Sequence, residues 1–124
     1  MSNEGIAIIG MAGRFPGAQN VEEFWRNLSA GVESIARFTD TELAESGVDS
    51  ATFNNPAYIK ARATLSDVDL FDAEFFGFTP REAALMDPQH RLFLETAWHA
   101  LENAGYNSEK FPASIFAVGA VVSF

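Results

Sequence analysis

The chain has 124 residues, 48% of them apolar and 12 of them Phe, enough for one domain with its own core. With 17 acidic against 8 basic residues its net charge is -9, a field that repels phosphate backbones and anionic lipid head groups, so nucleic acid and membrane surfaces are excluded as expected partners. It contains no cysteine, which rules out disulfides, thiolate metal sites and a cysteine nucleophile within these residues.

No apolar run approaches the roughly 20 residues that a membrane helix needs, and Met1 to Gly5 is too short and too polar for a secretory signal, so the expected location is the cytosol. Gly5-Ile-Ala-Ile-Ile-Gly10 is an unbroken apolar run bounded by glycines, the pattern of a strand covered on both faces. Gly13, Pro16 and Gly17 then demand a turn. Asn20 offers an N-cap with Glu23 at the reciprocal position, so a helix is predicted from Val21. Val21, Phe24, Trp25 and Leu28 form its apolar stripe and Gly31 ends it, which predicts a helix packing through its aromatics.

From Thr39 to about Asp67 periodicity fades, with one short helical stretch around Thr41 to Ser46. Phe53, Tyr58 and Ile59 are anchors that a solvated linker rarely carries, so an ordered surface excursion is expected rather than a flexible linker. Leu70, Phe71, Phe75, Phe76 and Phe78 crowd apolar mass before Thr79-Pro-Arg-Glu82, which reads as a capping box opening a short helix to about Met86. Asp87-Pro88 repeats the signal, and the Leu94, Ala97, Trp98, Leu101 stripe predicts a second helix that Gly105 terminates. Ser114 to Val122 is β-branched and apolar, a second buried strand. Two strands separated by helices and loop give an α/β layout.

Chemistry-bearing patterns are few. The glycines of Gly10 to Gly17 lack the spacing of a dinucleotide fingerprint, Pro16 intervenes, and the Gly-Lys-Ser/Thr ending of a P-loop is missing, so a structural turn is expected. His90 and His99 are the only histidines; nine residues at about 100° each set them on opposite faces of one helix, so they are read as surface or packing residues. Asp67, Asp69, Asp72 and Glu74 lack the central glycine and terminal Glu of a calcium loop and are read as a solvated acidic face. Ser29, Ser34 and Ser66 have no nucleophile-elbow context.

The stretch Phe71-Asp-Ala-Glu-Phe-Phe-Gly-Phe-Thr-Pro-Arg-Glu-Ala-Ala-Leu-Met-Asp-Pro-Gln-His-Arg-Leu-Phe-Leu-Glu-Thr-Ala-Trp-His-Ala-Leu-Glu-Asn-Ala-Gly105 closely resembles the ketosynthase domains of modular polyketide synthases. Ile6-Ala-Ile-Ile-Gly-Met-Ala-Gly-Arg-Phe-Pro-Gly17 and the Phe24-Trp25 helix resemble the same family's entry strand, turn and first helix, so the resemblance runs from about Gly5 to Gly119. It departs at Gly119 to Phe124, where the family leaves its second strand through a small, polar turn.

The resemblance implies an α/β, partial thiolase-like fold: the first two strands and associated helices of the N-terminal half, with an incomplete sheet. Residues 1–124 would be one N-terminal piece of a single β-ketoacyl synthase domain, with no second domain. It implies a decarboxylative Claisen condensation in polyketide or fatty-acid biosynthesis, in which a cysteine carries the acyl group and a malonyl unit on acyl carrier protein loses carbon dioxide and attacks it. No cofactor is expected to bind directly; the family's substrates ride on the phosphopantetheine of acyl carrier protein. Expected partners are that carrier protein, the rest of a multidomain synthase, and a second copy in the homodimer of an intact domain. The family's catalytic Cys and two His would lie beyond Phe124, so no catalytic role transfers to His90 or His99 and the chain alone is expected to be inactive. Asp87, Pro88, Gln89 and Arg91 resemble the family's strongest marker outside the active site, read as a helix start whose polar groups have partners. A noncatalytic scaffold or dimerisation module built on the same fold is the alternative. An apolar terminal strand with an open edge predicts that the isolated 124 residues are unstable or self-associating.

Overall fold

The computed structural model describes residues 5–105, 107 and 110. The chain divides into two compact units, one of residues 15–66 and one of residues 1–14 with 67–124; the second predicted strand, Ser114 to Val122, lies outside the described residues.

The 15–66 unit opens on a tight turn in which Phe15 and Ala18 exchange both backbone hydrogen bonds, at 2.9 and 3.0 Å. Pro16 and Gly17 take its central positions, and Gly17 has φ +71, the left-handed backbone that the third residue of a type II turn requires. Helix α1 (Val21–Ser29) follows. Asn20 is its N-cap, accepting from the Glu23 N–H at 2.8 Å. Glu23 reaches back one residue further than the box predicts, its carboxylate accepting from the Gln19 N–H at 2.8 Å. Gly31 follows the C-cap, as expected, and the Gly31 and Val32 N–H groups close the last turn onto Leu28 and Asn27. The stripe is only partly used. Phe24 stacks on Phe15 with ring centroids 4.1 Å apart, whereas Trp25 is 68% and Leu28 54% exposed, so the packing that the stripe predicts is made by one aromatic of the two.

The 39–67 stretch is an ordered excursion. Helix α2 (Asp40–Glu45) carries a complete capping box between Thr39 and Glu42, and helix α3 (Ser50–Phe53) is capped by Asp49. A two-residue antiparallel pair frames them: β1 (Ala36–Arg37) pairs with β2 (Ala61–Arg62), Ala36 opposite Arg62 and Arg37 opposite Ala61, and Phe38 extends the ladder to Lys60. Periodicity does not predict this pair, because two residues per strand leave no alternation to detect. Leu43, Phe53 and Ala18 are the buried apolar residues of this unit. Lys60 pairs with Asp40 and lies over the Phe53 ring at 5.7 Å. Phe53 is thus an anchor as predicted, but Ile59 is 77% exposed and is not.

In the other unit, helix α4 (Pro80–Leu85) starts on the Thr79–Glu82 capping box with Pro80 in its first turn. Helix α5 (Pro88–Ala104) follows, with Asp87 as N-cap and Gly105 as C-cap. The expected aromatic cluster forms ahead of them: Phe71 stacks on Phe76 at 5.1 Å, Phe75 meets Phe76 edge-on at 4.9 Å, and Phe75 meets Trp98 of α5 edge-on at 4.9 Å. Leu70 stays exposed, and among the described residues of this unit Ala83 is the buried apolar one.

The Gly5 to Gly10 run is not a covered strand among the described residues. It has no ladder partner there, and Ile6 and Ile8 are exposed. An apolar run of this kind is covered only where neighbouring strands and helices flank it, and no described strand does so. Its end is nevertheless docked: the Met11 N–H donates to the side-chain oxygen of Asn103, in the C-terminal turn of α5, at 3.1 Å.

Candidate functional site

The Asp87–Arg91 segment is built from the chain's most explicit local signals. Pro88 sits in the first turn of α5, where no intrahelical donor is lost, and Asp87 accepts from the Gln89 N–H at 2.8 Å. The carboxylate also lies at the positive end of the helix dipole. The His90 N–H donates to the Asp87 carbonyl at 2.9 Å.

Arg91 departs from the sequence expectation. Its Nε is buried and has no hydrogen-bond partner among the described residues, so the four-residue motif is not a fully satisfied helix start. The reason is placement: of the two carboxylates four residues away, Asp87 caps its own helix and Glu95 pairs with Arg14. Arg91 instead lines a cavity of about 370 Å³ with Asp69, Phe71, Ala73, Pro80, Ala83 and Ala84. Arg91, alone of the motif's residues, thus meets the aromatic segment and α4 around one concave surface, which sequence spacing does not reveal.

The other candidates do not converge. His90 and His99 are both exposed on α5. Among the described residues no group of three His, Asp or Glu side chains is placed to hold a metal ion. Asp72 is turned to the backbone, accepting from the Phe75 N–H at 3.0 Å, and Asp67 takes φ +55 at the start of the aromatic segment. Ser66 accepts from the Gln19 amide at 2.6 Å. The glycine-rich segment is occupied by its own chain. A Cβ on Gly10 would fall 2.6 Å from the Ala100 carbonyl and 2.7 Å from the Ala104 nitrogen, so that glycine serves close helix packing. Arg14 pairs with Glu95 of α5 at 3.7 Å, both side chains largely buried.

Two carboxylates are electrostatically set. Glu42 and Glu82 are held below their ordinary pKa by hydrogen bonds from the Thr39 and Thr79 backbone N–H groups first and from the threonine hydroxyls second. Both are exposed helix-capping groups, and the hydrogen bonds that shift them are those of the capping boxes. No helix among the described residues is long and apolar enough to cross a membrane.

Comparison with known proteins bears on the whole chain. The family pattern "Beta-ketoacyl synthase, N-terminal domain" matches residues 3–123. One component of the phenolphthiocerol/phthiocerol polyketide synthase of Mycobacterium tuberculosis is 52% identical over 114 residues, covering 92% of this chain and 8% of that protein. Polyketide synthase PksM of Bacillus subtilis is 49% identical over 109 residues, covering 86% of this chain and 2% of that protein. Among solved structures, ketosynthase twelve of the bacillaene polyketide synthase of Bacillus amyloliquefaciens aligns with a TM-score of 0.75 and 46% identity, over 86% of this chain and 19% of that one. The α/β, thiolase-like fold expected from the sequence is that of these ketosynthases. The chain spans less than a tenth of the polyketide synthases and about a fifth of the solved ketosynthase.

Proposed function

Because the chain belongs to the β-ketoacyl synthase family, matching its N-terminal domain over residues 3–123, we propose that it supplies scaffold to a ketosynthase performing decarboxylative Claisen condensation in polyketide assembly. The observation that carries this reading is the identity of 52% over 92% of the chain, a span long enough to take in both capping boxes, the aromatic segment and α5.

In this reaction a cysteine thiolate attacks an acyl thioester and expels the carrier thiol, leaving an acyl-enzyme. A malonyl thioester on acyl carrier protein then loses carbon dioxide; the resulting enolate attacks the acyl carbon and expels the cysteine. The chain has no cysteine, and its two histidines are exposed on one helix, so nucleophile and imidazoles come from other residues of the ketosynthase. What these residues contribute is support: the Gly10–α5 contact, the Arg14–Glu95 pair and the Phe75–Trp98 contact hold the entry segment, aromatic segment and helix together. Carrier-bound phosphopantetheine thioesters are the substrate form, and the partners are the carrier protein, the remaining synthase and a second ketosynthase copy.

The test is release of labelled carbon dioxide from malonyl-carrier protein in the presence of an acyl donor. An intact ketosynthase polypeptide containing these residues releases it and forms the β-ketoacyl product, whereas the 124 residues alone form none. Product formation by the 124 residues alone would overturn the scaffold assignment; failure of the intact polypeptide to condense any acyl donor would overturn the reaction.

A further inference from the structure

Asp69 and Arg91 line one cavity of about 370 Å³, no ion pair joins them, and the buried Arg91 Nε has no hydrogen-bond partner among the described residues. The rest of the lining is apolar, formed by Phe71, Ala73, Pro80, Ala83 and Ala84. A guanidinium stays charged at any physiological pH, and its planar fork is satisfied best by a carboxylate that takes Nε and a terminal nitrogen together. A buried Nε–H without an acceptor is uncommon in folded proteins, and a partner is expected for it.

We propose that this cavity is a docking site for a carboxylate-bearing segment of the remaining ketosynthase polypeptide, with Arg91 as its charge anchor. Three observations select that occupant. Charge complementarity calls for an anion at Arg91, because Asp69, the carboxylate of the lining, makes no ion pair with it. The apolar lining calls for covalently attached apolar atoms beside the carboxylate, from which a free inorganic anion gains nothing. The chain spans only 19% of the solved ketosynthase it resembles, so most of such a polypeptide lies outside these residues and can supply the segment. The inference rests on the ketosynthase reading for its partner, and on the Arg91 geometry for its position.

The experiment uses the intact ketosynthase polypeptide carrying these residues, with the photo-crosslinker p-benzoylphenylalanine at Ala84, an exposed position of the cavity lining. Illumination and peptide mapping are expected to give a crosslink to a segment of the same polypeptide outside residues 1–124 that contains Asp or Glu. A charge swap follows: Arg91→Glu lowers the thermal midpoint by about 4 °C, and changing the identified acid to Arg recovers at least half of that loss. No crosslink, a crosslink confined to residues 1–124, a crosslink to the carrier protein alone, or additive effects in the double variant would each overturn the docking site. Condensation measured in parallel separates the two readings. A crosslinked but inactive wild-type polypeptide sinks the reaction alone, and an active polypeptide without the crosslink sinks the docking site alone.

Discussion

Gly10 and Ala100 approach so closely that a Cβ on the glycine would stand 2.6 Å from the alanine's carbonyl oxygen. The obstacles are backbone atoms of α5 and the Ala104 Cβ at 2.9 Å, none of which is the end of a flexible side chain. Gly10→Ala is therefore expected to displace the entry segment from the helix and to destabilise an intact ketosynthase by about 1–3 kcal/mol, as overpacking does. Gly5→Ala, with nothing within 4 Å of its would-be Cβ, is the control and should be near neutral. Chemical denaturation of the two variants checks the contrast.

The Phe75–Trp98 contact predicts a measurable coupling. The rings meet edge-on at 4.9 Å and 83°, and they tie the aromatic segment to α5. A double-mutant cycle of Phe75→Leu and Trp98→Leu should return a coupling of about 0.5–1.5 kcal/mol, the double variant losing that much less than the sum of the two single losses. Coupling near zero would mean that the aromatic segment is held by Phe71, Phe76 and Phe78 alone.

These two contacts also show what the sequence could and could not disclose. Helix limits were readable because caps are local: Asn20, Thr79, Asp87, Gly31 and Gly105 act within one turn, and each does so where expected. Burial was less readable, since it depends on what lies opposite. Trp25, Leu28 and Ile59 have the composition of packing residues and remain exposed, and the Ile6–Ile9 run lacks a described partner. The β1–β2 pair was invisible because two residues per strand leave no alternation to detect. For the candidate site, the Asp87 cap followed from residue type and spacing. The cavity beside Arg91 did not, because Asp69, Phe71 and Ala84 come to it from different places along the chain.

The capping boxes make helix-start stability pH-dependent. Glu42 and Glu82 have folded-state pKa values below their ordinary 4.5, so their contribution is present above the unfolded value and is lost as pH falls through the folded one. Hydrogen exchange at the Glu42 and Glu82 amides should therefore show opening that increases, relative to a neighbouring mid-helix amide, as pH drops from about 5 toward about 3. Glu82→Gln should flatten that dependence at α4 while leaving it at α2. Persistence of the α4 response in Glu82→Gln would assign it to another carboxylate.

Cap deletion gives a second test, at α5. Asp87→Ala removes the acceptor that the Gln89 N–H uses at 2.8 Å, with an expected loss of about 1 kcal/mol. Asp87→Asn retains the acceptor but not the charge, and should lose less. Because Asp87 is turned to its own helix, neither change should alter the crosslinking expected at Ala84.

The exposed entry run sets the behaviour of the 124 residues on their own. Ile6 is 84% and Ile8 80% exposed, and an apolar run without a ladder partner among the described residues is a template for pairing with another copy. The isolated chain is expected to sediment as a concentration-dependent mixture and to melt without a sharp transition. The double change Ile6→Lys and Ile8→Lys opposes such pairing with like charges and should shift the mixture toward monomer. In an intact ketosynthase the same pair should destabilise, because there the run is expected to be covered by the rest of the sheet. A wild-type 124-residue chain that remains monodisperse and melts in one cooperative step would defeat this expectation. It would show that the two compact units satisfy their own surfaces, making the noncatalytic scaffold module the better account of the chain.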